Sequence, residues 1–574
     1  MRAVVRRPES ERVAEQARAP AAGEPEGAIE GPALLLEVGG TASRATLLDR
    51  VAGRHRFVAS GAAPMMPAQA AGDVILSIRG AVGEVERVTR RRLADSAGLV
   101  YPERSDGGGL DAAVVTVGAP LRVTLLTLGN GQASAQVQAA LDGLSALVVD
   151  VVGVEVVQAG ASPLERLVGA LGQGPDVVLV LGPSEREADK PTDVAMKCLA
   201  KALELTERPR PAVLYVGPPE VGVRLHDLLG QWEDLRTVDS RGSPEARAAI
   251  RGELRTIWQE RLASEAGGFG PAQSWTGCQM VPTAECFAAA LRFLALRRGC
   301  QVWGVDVGSS TTCLVRATAE TASIHVQEAG VARRIQWALA DKVLGQLATG
   351  VDPDRVRDYL WNRCVRPWAI PETPEEQMIG RALAREAIRS VRPTARGLNC
   401  AWRRQIGLVV ARGGGLQSVG HSSDAAWAIA DGLGASGVFE LALDRHHMLP
   451  GLGALASIAP GAAVEALLAD GLTPMATMVV GAGHAGPGER VALAELRGLD
   501  GLRRQTVVLA GQPASLPLGA SEAADLTLTP ERGADFGWGR GAAVEMRVRG
   551  GRLGLLVGAR AGAARMGPRP DGAK

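Results

Sequence analysis

The sequence is poor in aromatic residues and has almost no net charge. Aromatic side chains make up 3% of the 574 residues, and 63 Lys+Arg balance 62 Asp+Glu to a net charge of +1. The tryptophans do not alternate with basic clusters, and no positive field would attract a polyanion. We therefore expect no nucleic-acid partner. Only five of the basic residues are Lys, which we interpret as coding bias and not as a phosphate-binding surface.

Closely spaced cysteines are also missing. The seven cysteines are an odd number, and no two have the CxxC spacing typical of zinc or iron–sulfur ligands. We interpret them as reduced thiols and predict that activity requires no iron–sulfur cluster.

Long apolar runs are absent as well. Residues 1–30 lack an apolar segment of the signal-peptide kind, and Asp150 and Glu155 interrupt the longest internal run. The sequence therefore predicts a cytoplasmic protein that does not enter a membrane.

The most informative segment that is present is WGVDVGSSTTCLV, residues 303–315. Its alternation predicts a strand, a tight turn and a second strand. Gly308 allows close backbone approach, residues Ser309, Ser310, Thr311 and Thr312 offer N–H and hydroxyl donors to phosphate, and Asp306 could hold a hydrated Mg²⁺. On its own, this pattern fits a plain hairpin equally well.

A second copy of the pattern favours the phosphate interpretation. Residues 33–49 contain an acid at Glu37, the turn Gly39-Gly40-Thr41, then Ser43-Arg44 and a returning strand. Internal duplication predicts two homologous lobes that close on one nucleotide. We expect the two hairpins to face each other, with the Cα atoms of Gly39 and Gly308 within about 15 Å, the span of a ligand cleft.

A third glycine-rich turn follows a predicted buried strand. Arg412 precedes Gly413, Gly414 and Gly415. Three glycines at the end of a strand let a flat ring approach the backbone, so we predict that they bind adenosine; a flexible loop is the alternative.

The order of the remaining patterns predicts an α/β protein of several domains. We expect a disordered tail (1–30), a first lobe (31–300) with a Rossmann-like insertion at about 122–265, a second lobe (301–460), an antiparallel β domain (461–560) and a disordered tail (561–574). The insertion lacks a GxGxxG turn after a strand, so no dinucleotide is assigned to it.

Taken together, these motifs resemble the phosphate and adenosine motifs of the actin, sugar-kinase and heat-shock-chaperone ATPase superfamily, whose lobes are duplicated ribonuclease-H-like units. Within it the chain is similar to the MutL/GlmL family, accessory proteins of adenosylcobalamin-dependent glutamate mutase. The segments that carry this similarity are 34–49, 119–128, 281–295, 303–315, 408–419 and 439–456.

The resemblance implies a cytoplasmic, ATP-binding reactivase that acts on an adenosylcobalamin-dependent mutase, with ATP and Mg²⁺ as cofactors. It implies catalytic and Mg²⁺-binding roles for Glu37 and Asp306, and it leaves a homodimer open. The alternatives are a small-molecule kinase on the same fold and a non-catalytic scaffold. A kinase would need a carboxylate beside its acceptor, and the sequence offers no convincing candidate.

Three positions differ from the family pattern. Glu37 stands where Asp is usual, Arg44 where Lys is usual, and Cys313 where the second hairpin usually has Asp. A thiol does not orient Mg²⁺-bound water as a carboxylate does. We therefore predict slow or absent hydrolysis without a partner, and higher turnover in Cys313→Asp.

Overall fold

The computed structural model describes most of the chain outside the two termini. The predicted tails, 1–30 and 561–574, lie almost wholly outside the described residues. The described residues are 29–65, 73–128, 140, 144, 148–157, 163–183, 190–206, 210–230, 232, 234–239, 244–264, 269–332, 337–347, 350–392, 406–417, 423–498, 501–531 and 533–561.

The first lobe is built on a five-stranded sheet. Its strands run in the order β10-β4-β1-β2-β3, with β4 and β10 parallel to β1 and the hairpin partners β2 and β3 antiparallel. Helix α1 (Asp73–Thr89) joins β3 to β4. The strands are β1 (Ala33–Val38), β2 (Ala42–Val51), β3 (Arg54–Pro64), β4 (Ala112–Val117) and β10 (Met280–Pro282).

The second lobe repeats this arrangement. Its sheet runs β13-β12-β11-β14-β15 over the first five strands, again with an antiparallel hairpin and parallel fourth and fifth strands. The shared order of strands confirms the predicted duplicated, actin-like fold. The strands are β11 (Gln301–Val307), β12 (Thr312–Ala317), β13 (Ala322–Gln327), β14 (Ile406–Arg412) and β15 (Gly437–Leu443).

A Rossmann-like unit is inserted between β4 and β10. Five parallel strands run in the order β6-β5-β7-β8-β9, and a helix follows each of the strands from β6 to β9 along the described chain. The insertion runs from β5 to α5, close to the predicted 122–265. Its elements are β5 (Leu121–Leu128), β6 (Val149–Val157), α2 (Pro163–Leu171), β7 (Val177–Leu181), α3 (Lys190–Glu204), β8 (Ala212–Gly217), α4 (Pro219–Leu229), β9 (Leu235–Asp239) and α5 (Pro244–Ala263).

Helices cover the faces of both lobe sheets. Each amphipathic helix buries one apolar stripe against a sheet, as the sequence periodicity predicts. None of the helices in the described part of the chain is both long and apolar enough to cross a membrane. The remaining helices are α6 (Gly270–Thr276), α7 (Thr283–Arg298), α8 (Trp337–Leu344), α9 (Pro353–Val365), α10 (Pro374–Ser390), α11 (Gly414–Gln417), α12 (Ser423–Leu433), α13 (Leu449–Leu455) and α14 (Pro460–Asp470).

The C-terminal segment contains an antiparallel sheet, as predicted, but the predicted boundary at residue 461 does not hold. Strands β17 (Arg490–Gly498), β18 (Arg503–Leu509), β20 (Ala523–Pro530) and β21 (Val544–Arg549) form a sheet of their own. Three other strands continue the sheet of the second lobe, in the order β15-β16-β22-β19. They are β16 (Thr473–Ala485), β22 (Leu555–Ala561) and β19 (Ala514–Leu516).

Helices α7 and α13, which follow the fifth strands of the two lobes, pack together between the lobes. Their crossing is so close that a methyl group at Gly453 would lie 1.9 Å from the carbonyl oxygen of Cys286. Buried side chains of both sheets, such as Leu35 and Val302, belong to the same core as these helices. The two lobes are therefore joined by a continuous apolar core behind the hairpin turns.

A polar contact ties the end of the second lobe to the first. Asp470 on α14 accepts two hydrogen bonds from the guanidinium of Arg56 on β3, both of 2.7 Å, and one of 3.0 Å from the N–H of Phe57.

Candidate functional site

The two hairpin turns have the same geometry and touch each other. The N–H of Gly39 donates to the carbonyl of Ala42 (3.0 Å), and that of Gly308 donates to the carbonyl of Thr311 (2.9 Å). Thr41 Oγ1 donates to Ser309 Oγ across the cleft at 2.8 Å. A methyl group at Gly40 would lie 2.0 Å from Ser310 Oγ. These contacts confirm the prediction that the hairpins face each other.

The backbone of the second turn is held from one side. The carbonyls of Gly308, Ser309 and Ser310 accept hydrogen bonds from the N–H groups of residues 331, 332 and 330, at 3.1, 2.9 and 3.1 Å. Because the N–H and C=O of a trans peptide point in opposite directions, the N–H groups of residues 309–311 point away from that segment. The turn thus has the arrangement of a backbone anion nest.

The glycine-rich turn lies against both hairpins, as predicted. Gly413 has φ +102°, and a methyl group there would lie 2.3 Å from the carbonyl oxygen of Val307 and 2.5 Å from Asp306 Oδ1. A methyl group at Gly414 would lie 3.5 Å from Arg44 Nη2, and one at Gly415 would lie 2.8 Å from Val307. Only glycine permits this approach at position 413, because the conformation and the space both exclude a side chain.

A buried arginine connects the acids of the two hairpins. Arg412 is 3% exposed, and its Nη2 donates to Glu37 Oε1 (2.8 Å) and Oε2 (2.7 Å). Its Nη1 donates to Asp306, and its Nε donates to Asp444 Oδ2 at 3.1 Å. The guanidinium also lies over the ring of Phe287 on α7, 5.6 Å from the centroid. Arg412 therefore binds carboxylates of both lobes at once.

The sheet explains why these charges converge. Strands β11, β14 and β15 are parallel neighbours, and Asp306, Arg412 and Asp444 stand at or just after their carboxyl ends. The sequence reasoning identified Asp306 but missed Arg412 and Asp444. A charged residue that ends an otherwise apolar buried strand was the available signal.

Asp444 also organises the segment that follows it. Its Oδ1 accepts from the N–H of Met448 (2.8 Å), and its Oδ2 accepts from that of Leu449 (3.1 Å), so it satisfies free N–H groups at the start of α13. Burial raises the pKa of Asp444 to about 6, against the opposing effect of Arg412. Burial also raises the pKa of Asp306, and the nearby Glu37 adds to that rise. Three carboxylates here share one guanidinium.

The predicted Mg²⁺ ligands do not fit that ion in this arrangement. The oxygens of Glu37 and Asp306 that face each other are bound by Arg412. Mg²⁺ needs about six oxygens at about 2.0–2.1 Å, most of them water, and the guanidinium occupies the space that these would take. Among the residues that the structure describes, no group of three or more His, Cys, Asp or Glu side chains is arranged to hold a metal ion.

Cys313 lies directly opposite Asp306 in the hairpin and is buried. Burial raises the pKa of the Cys313 thiol strongly, and the charge of Asp306 raises it further. The side chain is therefore an uncharged thiol at neutral pH and cannot act as a carboxylate would. In the first hairpin, the position opposite Glu37 is Arg44.

Several polar atoms around the turns have no partner within the described part of the chain. They are the hydroxyl oxygens of Ser43 and Ser310 and both ring nitrogens of His447, all of them buried. The pKa of His447 is well below its usual value because of burial and the charges of Arg44 and Arg412. Buried polar atoms without partners are costly, so these are candidates for ligand contacts. Thr312, by contrast, donates its hydroxyl to the carbonyl of Ala329 at 2.8 Å, although we predicted that it binds phosphate.

Two adjacent histidines, His446 and His447, lie close to the cleft region. They stand in the turn between β15 and α13, where His447 has φ +55°. The ring of His446 stacks on Phe57 with 4.0 Å between centroids. The two rings therefore belong to different surroundings, and only that of His447 adjoins the cleft.

An apolar pocket opens beside the glycine-rich turn. It encloses about 470 Å³, mouth included, and Gly413 and Leu416 line one side of it. Ala425, Ala426 and Ile429 of α12 line the opposite side. Gly414 and Gly415 do not line this pocket.

The sequence model of a family described as MutL protein matches residues 33–470. No curated protein matches the chain. Among solved structures, acetone carboxylase matches with 11% identity and a TM-score of 0.34, covering 74% of this chain and 70% of that one. Component A of (R)-2-hydroxyglutaryl-CoA dehydratase from Acidaminococcus fermentans matches with 9% identity, a TM-score of 0.26, and coverage of 76% and 99%. Glycerol dehydratase reactivase matches with 11% identity, a TM-score of 0.30, and coverage of 74% and 99%. Likenesses this distant carry no information on activity.

Proposed function

Because the chain belongs to the MutL protein family, we propose that it is an ATP-binding accessory protein of an adenosylcobalamin-dependent mutase. Glutamate mutase is the client that the family implies. ATP binding is supported by one observation: two matched hairpin turns and a glycine-rich turn lie in contact with one another. An accessory role, and not an independent reaction, fits a cleft whose carboxylates are bound to arginine.

The phosphate groups would lie against the hairpin turns. Backbone N–H groups of residues 309–311, the hydroxyls of Ser43 and Ser310, and the guanidinium of Arg44 are the donors there. Arg44 faces Gly414, so it is placed to contact a phosphate between the first hairpin and the glycine-rich turn. Donors of this kind bind phosphate through fixed geometry and charge.

The adenine ring would enter the apolar pocket beside Gly413. Most of its walls are small or aliphatic side chains, which suit a flat ring, and Arg412, Asp444 and Arg445 also line it. Gly413 lets the ring approach the backbone. Replacement of Ala425 by Leu would fill part of this pocket. We expect ATP binding to weaken about tenfold in that variant, while binding of inorganic tripolyphosphate stays unchanged.

A kinase is the less favoured alternative. In the described cleft the three carboxylates, Glu37, Asp306 and Asp444, are bound to Arg412, so none is placed to act as a base toward an acceptor hydroxyl. A non-catalytic scaffold remains the alternative if no nucleotide binds.

Calorimetry with ATP tests the proposal. A side chain at Gly308 would lie 2.9 Å from the carbonyl oxygen of Thr311 and would deform the turn. We expect Gly308→Val to bind ATP at least about a hundredfold more weakly than the wild-type protein does. Gly83→Ala is the matched control, because nothing lies within 4 Å of a methyl group there on α1.

Addition of the purified mutase then tests the accessory role. We expect phosphate release by the protein alone to be slow and to rise when the mutase is present, because the partner would have to rearrange the cleft. Absence of ATP binding in the wild-type protein would favour the scaffold, and brisk hydrolysis without any partner would contradict the accessory role.

A further inference from the structure

We propose that the guanidinium of Arg412 is the built-in cation of this cleft, so that the protein binds its nucleotide without holding a divalent cation between its own carboxylates. The inference rests on the proposed nucleotide binding and adds which cation serves that site. It begins from the misfit between the expected Mg²⁺ ligands and their observed partners.

The donors of Arg412 match the carboxylates around it. A guanidinium has five N–H groups in a fixed fork, and carboxylates of both lobes receive at least four of them. Glu37 accepts two at 2.8 and 2.7 Å, Asp306 accepts one from Nη1, and Asp444 accepts the Nε hydrogen at 3.1 Å. Two of them, Glu37 and Asp306, are the acids expected to hold Mg²⁺, and they come from the two halves of the duplication.

Displacement of this arginine by a metal ion would be unfavourable. Arg412 ends a strand that is buried along nearly its whole length, and its side chain is covered by Phe287. Asp444 is fixed in turn by the N–H groups of Met448 and Leu449. A metal ion would have to move a charged side chain out of a buried network that both the sheet and α13 hold in place.

An uncharged thiol at position 313 is consistent with Arg412 serving as the cation of the cleft. The registers pair Glu37 with Arg44 and Thr116 in the first lobe, and Asp306 with Cys313 and Arg412 in the second. Each hairpin acid thus has an arginine beside it, on the hairpin partner strand in the first lobe and on the parallel neighbour in the second. With Arg412 supplying the positive charge, a further carboxylate at position 313 would only add an unpaired negative charge.

The phosphate groups would meet other donors. Arg412 donates to three carboxylates, whereas the hydroxyl of Ser310 has no partner in the described chain, and Arg44 faces the glycine-rich turn. Arg44, Ser310 and the turn N–H groups would therefore bind the phosphates. Arg412 therefore acts as a positioning residue: it fixes the two hairpins and offsets the charge of their acids, which would otherwise repel phosphate.

Mn²⁺ binding, followed by electron paramagnetic resonance in the absence of nucleotide, tests this assignment. We expect no Mn²⁺ site in the wild-type protein. In Arg412→Met the three carboxylates lose their cation, and we expect one Mn²⁺ site to form as their side chains move toward the vacated space. Arg363→Met removes another buried arginine of the second lobe, on α9, and should create no site. One equivalent of Mn²⁺ bound by the wild-type protein, and lost in Glu37→Gln, would overturn the proposal.

A second test of this assignment measures the affinity for ATP by calorimetry, in EDTA and in excess Mg²⁺. We expect wild-type affinities in the two conditions to agree within about threefold, and Arg412→Met to bind ATP at least about tenfold more weakly in EDTA than in Mg²⁺. Wild-type binding that is lost in EDTA and restored by Mg²⁺ would contradict the built-in cation. If ATP binds in neither condition, the proposed nucleotide function fails, while the Mn²⁺ measurement still decides the role of Arg412. Should Arg412→Met not fold, the two wild-type measurements decide.

Discussion

The effect that we expect from a substitution of Cys313 depends on the residues around it. From the sequence we expected Cys313→Asp to raise turnover by restoring a carboxylate. The structure places this carboxylate in a buried position opposite Asp306, within a cluster that already has more acids than arginines. We now expect Cys313→Asp to lower the free energy of unfolding by about 3 kcal/mol, because it buries an unpaired charge.

Denaturant unfolding of Cys313→Asp and of Cys313→Ser, which adds no charge, measures the effect. Greater ATP turnover in Cys313→Asp with unchanged stability would instead support the metal-binding interpretation.

The raised pKa of Asp444 makes the stability of the folded protein depend on pH in a defined direction. Its pKa in the folded protein is raised from 3.8 to about 6, so between these values the folded protein binds more protons than the unfolded chain. The contribution of Asp444 to stability is therefore greatest below about pH 4 and is lost as the pH rises through about 6. Asn resembles the protonated acid, so Asp444→Asn should gain stability relative to wild type across this range, by at most about 3 kcal/mol.

Unfolding of both proteins at several pH values from 4 to 7.5 checks this sign. The groups that act on Asp444 are Arg412, Glu37 and the N–H groups of Met448 and Leu449, and they are present in both proteins. A difference in stability that does not change with pH would show that Asp444 stays ionised throughout.

The candidate site was predictable from sequence where backbone geometry defines it. Glycines in turns after apolar strands, with an acid before each of the two hairpin turns, indicated that the hairpin turns and the glycine-rich turn lie together. Arg412 was not predictable in the same way, because its partners come from three distant strands and the sequence does not give their order in the sheet. The engagement of Glu37 and Asp306 by an arginine, and not by water or metal, depends on that order.

At the level of elements, the crossing of α7 and α13 is the most sensitive packing between the lobes. A methyl group at Gly453 would meet the backbone of Cys286 at 1.9 Å, and a backbone cannot move aside as a flexible side chain can. We expect Gly453→Ala to lower the free energy of unfolding by about 2 kcal/mol or more.

Gly461→Ala on the next helix is the matched control for that variant. Nothing lies within 4 Å of a methyl group there, so alanine should be neutral or stabilising by less than about 1 kcal/mol. Denaturant titrations of both variants make the comparison. Equal effects would show that the helix crossing adjusts at little cost.

Most individual elements follow from local periodicity, and the error at residue 461 shows the limit of that method. The short alternating runs after residue 470 predict strands, and the strands are present. Alternation shows which residues face a core, but not which sheet a strand joins. Strands β16 and β22 bury Met475, Met478, Val480 and Leu556 in the core of the second lobe, so they belong to that lobe despite their distance in sequence.

At the level of the whole molecule, the second lobe extends beyond the segment that defines the family. The family match ends at residue 470, and β16 begins at residue 473. A chain of residues 29–470 would leave the edge of β15 without its antiparallel partner and would uncover the apolar core behind it. Unpaired apolar edges associate with one another, so we expect this chain to aggregate.

Size-exclusion chromatography tests this expectation against a chain of residues 29–561, which retains β16 and β22. The longer chain should elute as a folded species of defined size. A folded, non-aggregating 29–470 chain would mean that the added strands contribute little to the stability of the lobe.

The two hairpins share strand order and turn geometry, and Arg412 bridges the acids at corresponding positions in them. If the two copies were identical and symmetric, a nucleotide could bind in either of two equivalent orientations. The strand registers remove this degeneracy, because Arg44 and Thr116 on one side correspond to Cys313 and Arg412 on the other. The orientation of the bound nucleotide would then be determined by the few positions at which the two copies differ.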